Sequence, residues 1–197
     1  MASALVLLAD GTEEIEFVTS QDVLVRAGFS VRSVGVNLQH HSWAVCSRGV
    51  KIIPDIHDIS NLSFLYADPD VLIVPGGAPG ATTLTASSTV LEMVQRLRGQ
   101  AKRVACICAG TLVLVRSVEV PSIFDKKECR VTSHPSVKQE IVNKGWDYYD
   151  DDVVEDDRVI TSRGPGTAIM FALAIVESLL GKARRDEVAG PLMVPGV

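Results

Sequence analysis

The run Val104-Ala105-Cys106-Ile107-Cys108-Ala109-Gly110-Thr111 sets a cysteine where an apolar stretch gives way to a helical pattern at Leu112-Val113-Leu114-Val115. It reads as strand, sharp turn and helix with Cys108 at the bend, a nucleophile elbow written with Cys in place of Ser. Ala109 and Gly110 supply the small neighbours that such a bend needs. A thiol over the first turn of a helix meets unpaired N–H groups and the positive end of the helix dipole, so the pattern predicts a favoured thiolate. The plainer reading, a cysteine used as one more small hydrophobe, fits most isolated cysteines after a strand. The Ala-Gly step and the switch of periodicity favour the nucleophile.

Other groups at predicted strand exits qualify for the same site. Gly76-Gly77 follows Val74-Pro75 and reads either as backbone donors to a developing oxyanion or as a turn that needs positive φ. Lacking a following Gly-Lys-Ser/Thr, it is not a phosphate loop. Glu16 lies one turn into the first predicted helix, between Ile15 and Phe17-Val18. Its spacing suits a surface acid, whereas a carboxyl drawn inward beside sulfur would have a raised pKa. His134, in Thr132-Ser133-His134-Pro135, reads as a base for Cys108 or, more simply, as a helix-entry histidine. His40, His41 and His57 have no spacing that builds a metal site. Cys106 is expected on the same side of its strand as Cys108, deeper, as packing. Cys46 and Cys129 read as structural thiols.

These residues need a scaffold, and the apolar runs supply one. Strands are predicted at 4–9, Ser30–Val36, Val71–Val74, Arg103–Ile107 and Val159–Ser162, with short extended pieces in Val45–Pro54 and at Val131-Thr132. Helices are predicted at Glu13–Ala27, N-capped by Thr12, and at Ser88–Arg98, Pro135–Lys144 and Gly166–Leu180, the last capped by Gly181. Alternating strands and helices without repeat or linker give one α/β domain over residues 1–197 with a mostly parallel sheet. Ligands of such sheets sit at the carboxyl ends of the strands, where Asp10-Gly11, Gly76-Gly77, Cys108 and His134 all fall.

Composition narrows the function. The 197 residues are 47% hydrophobic and 5% aromatic, so the core is aliphatic and large enough for one domain. A net charge of −5 argues against nucleic acid or an anionic membrane as partner. No apolar run has the length of a membrane span, and the start reads as a first strand rather than a signal peptide. Four cysteines without a CxxC pair imply reduced thiols and a cytoplasmic setting; the nucleus is a separate expectation that the cysteines do not carry. Seven of the 24 acids lie between Asp147 and Arg158, read as a hairpin with a solvated acidic tip. A calcium loop would need glycine and spaced ligands that are missing.

The set Ala9-Asp10-Gly11-Thr12-Glu13-Glu14-Ile15-Glu16, Cys46-Ser47-Arg48, Pro75-Gly76-Gly77, Ile107-Cys108-Ala109-Gly110, His134-Pro135 and Thr161-Ser162-Arg163-Gly164-Pro165-Gly166-Thr167 resembles the ThiJ/PfpI superfamily. Within it the chain is similar to the parkinsonism-linked protein deglycase branch, near the fungal glutathione-independent glyoxalases. The resemblance implies a flavodoxin-like three-layer sandwich. It makes Cys108 the reactive, oxidisable cysteine, Glu16 a buried protonated glutamate bonded to that sulfur, and His134 the histidine near the site. Gly76 and Gly77, with Ala109, become backbone donors. It further implies a homodimer with the first helix and the Arg48 region at the seam, where Arg26 and Arg48 border a small anion-accepting groove.

Departures from the wider superfamily exclude neighbouring chemistries. Ala109 follows Cys108 where the peptidase-like branch has His, so a protease triad lacks its partner. Pro135-Ser136 follows His134 where glutamine amidotransferases carry His-x-Glu. Ile53 stands where animal members carry a further cysteine. The implied activity is conversion of methylglyoxal or glyoxal to lactate or glycolate without glutathione, metal or other cofactor, with protein deglycation as an associated activity. The rival implication is an oxidative-stress sensor or redox-regulated chaperone acting through oxidation of Cys108 to sulfinate.

Overall fold

A computed structural model describes residues 1–61, 68–121 and 128–194. In chain order its elements are β1 (Ser3–Leu8), α1 (Glu14–Arg26), β2 (Ser30–Gly35), β3 (Ala44–Val45), β4 (Lys51–Ile52), β5 (Val71–Val74), α2 (Ala78–Thr85), α3 (Ser88–Gly99) and β6 (Arg103–Ile107). They continue with α4 (Thr111–Ser117), β7 (Arg130–Val131), α5 (Pro135–Asn143), β8 (Asp147–Tyr148), β9 (Val153–Asp156), β10 (Val159–Ser162), α6 (Ala168–Leu180) and α7 (Lys182–Ala189).

Six strands form the central sheet in the order β2-β1-β5-β6-β10-β9. All neighbours are parallel except β9, which runs antiparallel to β10. Because successive side chains alternate faces, each strand feeds two cores. Val6, Ile73, Ala105 and Ile160 pack beneath α1, α6 and α7. Leu7, Leu72, Val104 and Val159 pack beneath α3, α4 and α5. The apolar runs Val71–Val74 of β5 and, after Arg103, Val104–Ile107 of β6 reflect burial on both faces. The result is the α/β sandwich expected, and no helix among the described residues is long and apolar enough to cross a membrane.

Several boundaries differ from the sequence reading. Thr12 does not cap α1: its Oγ1 accepts the Ala9 N–H at 3.0 Å, and Glu13 is the cap, taking the Glu16 N–H at 2.9 Å. Two helices, α2 and α7, were not predicted. The acidic hairpin is real as β9 and β10, turning at Asp157 and Arg158, which have φ of +45° and +65°. Its flanking acids are not merely solvated. Asp150 pairs with Lys138 and Arg163, and Asp156 with Arg130. β8 lies apart from it, paired in parallel with β7.

Candidate active site

Parallel strands deliver their carboxyl ends to one edge. Val74 of β5 pairs with Cys106 of β6, so two residues further on Gly76 arrives beside Cys108. Ile107 is still extended, and Cys108 then takes a φ of +62° before the chain enters a short 3-10 turn and α4. A left-handed conformation at a residue with a Cβ costs on the order of 1 kcal/mol or more. The predicted elbow is therefore present, and its bend has a consequence that ideal alternation concealed. Cys106 packs in the α3/α4 core and Cys108 in the α1/α6 core, so the two cysteines lie on opposite faces, contrary to expectation.

Glu16 is fully buried. Its Oε2 accepts the Gly76 N–H at 2.7 Å, Oε1 makes no hydrogen bond, and the Cys108 thiol lies close enough to ease ionisation of the carboxyl. Gly76 is the spacer between them. A Cβ there would lie 2.6 Å from Cys108 Cβ and 2.8 Å from Glu16 Oε2. At Gly77, with φ of +87°, a Cβ would collide with the Gly11 carbonyl and approach the Glu13 nitrogen to 2.6 Å. Both glycines are thus required by close approach as well as by the turn.

Burial raises the Glu16 carboxyl from 4.5 to about 7, with Glu13 adding to the rise and the Gly76 N–H and Cys108 opposing it. The Cys108 thiol is pushed up to about 12, first by burial and then by the Glu16 charge. The N–H groups of Ala109 and Gly77 act on the sulfur in the opposite direction. The elbow donors therefore work as anticipated, but burial and Glu16 outweigh them, and the expectation of a favoured thiolate is corrected. The carboxyl and thiol form one coupled pair, whose protons belong to both.

The Cys108 thiol opens onto a cavity of about 330 Å³. Its lining comprises Glu13, Ser47 and Arg48, the turn Gly77-Ala78-Pro79, Ala109 beside Cys108, and His134, Ser136 and Pro165. Glu14 fixes Ser47 and Arg48, accepting the Ser47 hydroxyl at 2.6 Å and the Arg48 N–H at 2.7 Å. Thr167 fixes the Pro165 loop through the N–H groups of Arg163 and Gly164.

His134 is an exposed residue that N-caps α5, its Nδ1 accepting the Ser136 N–H at 3.2 Å. The helix-entry reading is therefore realised, and the same residue lines the cavity. Thr132 and Ser133, both fully buried, hold its turn: Thr132 N–H donates to Thr161 Oγ1 at 2.9 Å, and Tyr148 OH donates to the Ser133 carbonyl at 3.0 Å.

Two expected site residues are placed differently. The Gly76 N–H is consumed by Glu16, which leaves Gly77 and Ala109 as the donors aimed at the sulfur. Within the chain Arg26 is off the cavity, at the end of α1, where it pairs with Asp22 at 2.8 Å. Sequence reasoning also passed over Glu13, which it placed only at the start of the first predicted helix. The signal available was its place one residue before α1 and three before Glu16.

An α/β sandwich with a buried carboxyl behind an elbow cysteine defines a class of cysteine-centred enzymes. Residues 2–178 match the DJ-1/PfpI family, and the chain belongs to that family. It is 41% identical to Protein dj-1beta of Drosophila melanogaster over 98% of this chain and 97% of that one. It is 38% identical to the glutathione-independent glyoxalase DJR-1.2 of Caenorhabditis elegans, covering 96% and 95%. The crystal structure of the Drosophila protein superposes with a TM-score of 0.86 over 98% of each chain. The structure of Schizosaccharomyces pombe DJ-1, 31% identical, superposes with a TM-score of 0.87 over 98% of this chain and 100% of that one.

Proposed function

We propose that this chain is a glutathione-independent glyoxalase that converts methylglyoxal to lactate, and glyoxal to glycolate, through a covalent adduct on Cys108. The observation that carries the reading is the buried Glu16 carboxyl behind Cys108, which itself opens on a small cavity. Relatives in Caenorhabditis elegans and Schizosaccharomyces pombe bear the name glutathione-independent glyoxalase, which supports the same activity here.

Sulfur adds to the aldehyde carbon, C1, forming a C–S bond. The thiol proton passes to Glu16 and ends on the former carbonyl oxygen. The N–H groups of Gly77 and Ala109 stabilise that oxygen while it carries charge. C1 then loses its hydrogen as a proton, and C2 gains one through an enediol. C1 is oxidised to a thioester as C2 is reduced from ketone to alcohol, so no outside oxidant is required. Water cleaves the C–S bond, releasing lactate and restoring the thiol. Aldehyde adducts on protein amines, the deglycase substrates, enter by the same sulfur attack.

The functional unit in this reading is a homodimer. Its support is the row of exposed apolar residues on α1, with Ile15 53% and Val25 55% exposed, beside Ile53 at 75%. Four free cysteines suit a reducing, cytoplasmic compartment. The test is stoichiometry in buffer without glutathione or amines. One lactate per methylglyoxal consumed supports the reading, and consumption without lactate overturns it.

A further inference from the structure

Resting on the glyoxalase reading, the unresolved step is the movement of a proton from C1 to C2. That step needs an acid–base side chain in the cavity, reaching a carbon bonded to the Cys108 sulfur. Glu16 is poorly placed for it. It is fully buried, one oxygen is held by the Gly76 N–H, and it does not form part of the cavity wall.

Two acid–base groups do form that wall, Glu13 and His134. His134 spends Nδ1 on the cap of α5, with its ring exposed. Glu13 is held on both sides. Its N–H donates to the Gly76 carbonyl at 3.0 Å, and its Oε2 accepts the Glu16 N–H at 2.9 Å. That leaves Oε1, which makes no hydrogen bond among the described residues. The backbone contact puts Glu13 directly against Gly77, one of the donors to the sulfur.

We propose that Glu13 is the catalytic residue that takes the C1 proton from the Cys108 hemithioacetal and returns it to C2. The C1–H bond breaks towards Oε1, its electron pair forms the C1–C2 double bond of the enediol, and the C2 carbonyl electron pair moves onto the C2 oxygen, which takes the proton of the C1 hydroxyl; Oε1 then delivers its proton to C2 as C1 becomes the thioester carbonyl. Glu16 then serves the sulfur and Glu13 the carbon, two carboxyls joined by the first turn of one helix.

The test is Glu13→Gln, whose amide oxygen still accepts the Glu16 N–H and so retains the helix cap. Lactate formation should fall by about 10²-fold or more, the usual worth of general base catalysis. Reaction of Cys108 with iodoacetamide should be unchanged, and the methylglyoxal adduct on Cys108 should accumulate in the mass spectrum. Glu13→Asp, which keeps the carboxyl but shortens its reach, should recover part of the rate. Lactate at the parental rate from Glu13→Gln overturns the assignment of Glu13 alone. Loss of adduct together with lactate also overturns it, because the defect then lies in the sulfur step. Absence of lactate from the parent protein overturns the glyoxalase reading itself.

Discussion

Glu16 and Cys108 are enclosed together behind Gly76, and their effects on each other are unequal: the carboxylate makes the thiol harder to ionise, whereas the thiol eases ionisation of the carboxyl. A charged carboxylate beside a buried sulfur raises the thiol, and burial raises both. Thiolate fraction governs alkylation. In Glu16→Gln the negative neighbour is gone, so the pH profile of Cys108 alkylation, read on its peptide by mass, should move to lower pH. A profile that stays in place, or moves upward, contradicts the coupling.

The same pair sets a pH dependence of stability. Below 4.5 Glu16 is protonated in both the folded and unfolded chain and costs nothing. As pH rises from 4.5 towards 7 the unfolded chain releases a proton that the folded chain keeps, so stability falls. Above pH 7 the loss levels at about 3 kcal/mol. Melting temperatures of the parent and Glu16→Gln, followed from pH 4.5 to 8, should diverge in the direction of a relatively more stable variant as pH rises. Parallel curves would contradict a raised Glu16.

Gly76→Ala should be costly for a steric reason. The added methyl meets Cys108 Cβ, Glu16 Oε2 and the Ala109 nitrogen at 2.6 to 2.9 Å. Forcing these apart should destabilise the fold by about 1–3 kcal/mol. Lactate formation should drop with it, because Glu16 loses its Gly76 anchor. A variant with the parental melting point and rate would show that the packing here is loose.

Arg184 offers a contrast outside the site. Its Nε donates to the Ala27 carbonyl at 3.1 Å and an Nη to the Arg26 carbonyl at 3.2 Å, so α7 is tied to the end of α1. Arg184→Ala should cost about 1–2 kcal/mol by leaving those helix-end carbonyls without a charged donor. Turnover at a temperature well below melting should be unchanged. A loss of turnover without loss of stability would link α7 to the cavity.

Much of this arrangement was legible in the amino-acid order. β5 and β6 matched their predicted spans because unbroken apolar runs, Val71–Val74 and Val104–Ile107, mark strands buried on both faces, and the elbow followed from small residues after Cys108. α2 was hidden because Ala78-Pro79-Gly80 looks like a prolonged turn, although Pro suits the first helical turn. α7 was hidden by its charge: only Val188 and Ala189 are buried in it, too few to mark a face. The inward direction of Glu16 was not readable from spacing, since α1 buries Glu14, Glu16 and Ser20 together with Phe17, Val23 and Leu24. A face of mixed polarity carries no clean periodicity, and only the tertiary contact with Gly76 explains it. The pull on the thiol was misjudged for a related reason, because the neighbour that opposes ionisation comes from a different element.

The central claim is that Cys108 forms the bond on which turnover depends. The most direct measurement is lactate formation from methylglyoxal by fully reduced protein, without glutathione or amines, run beside Cys108→Ser. Steady lactate production by the parent and none above background by the variant is the predicted result. Equal rates from the two proteins, or no lactate from either, would contradict it.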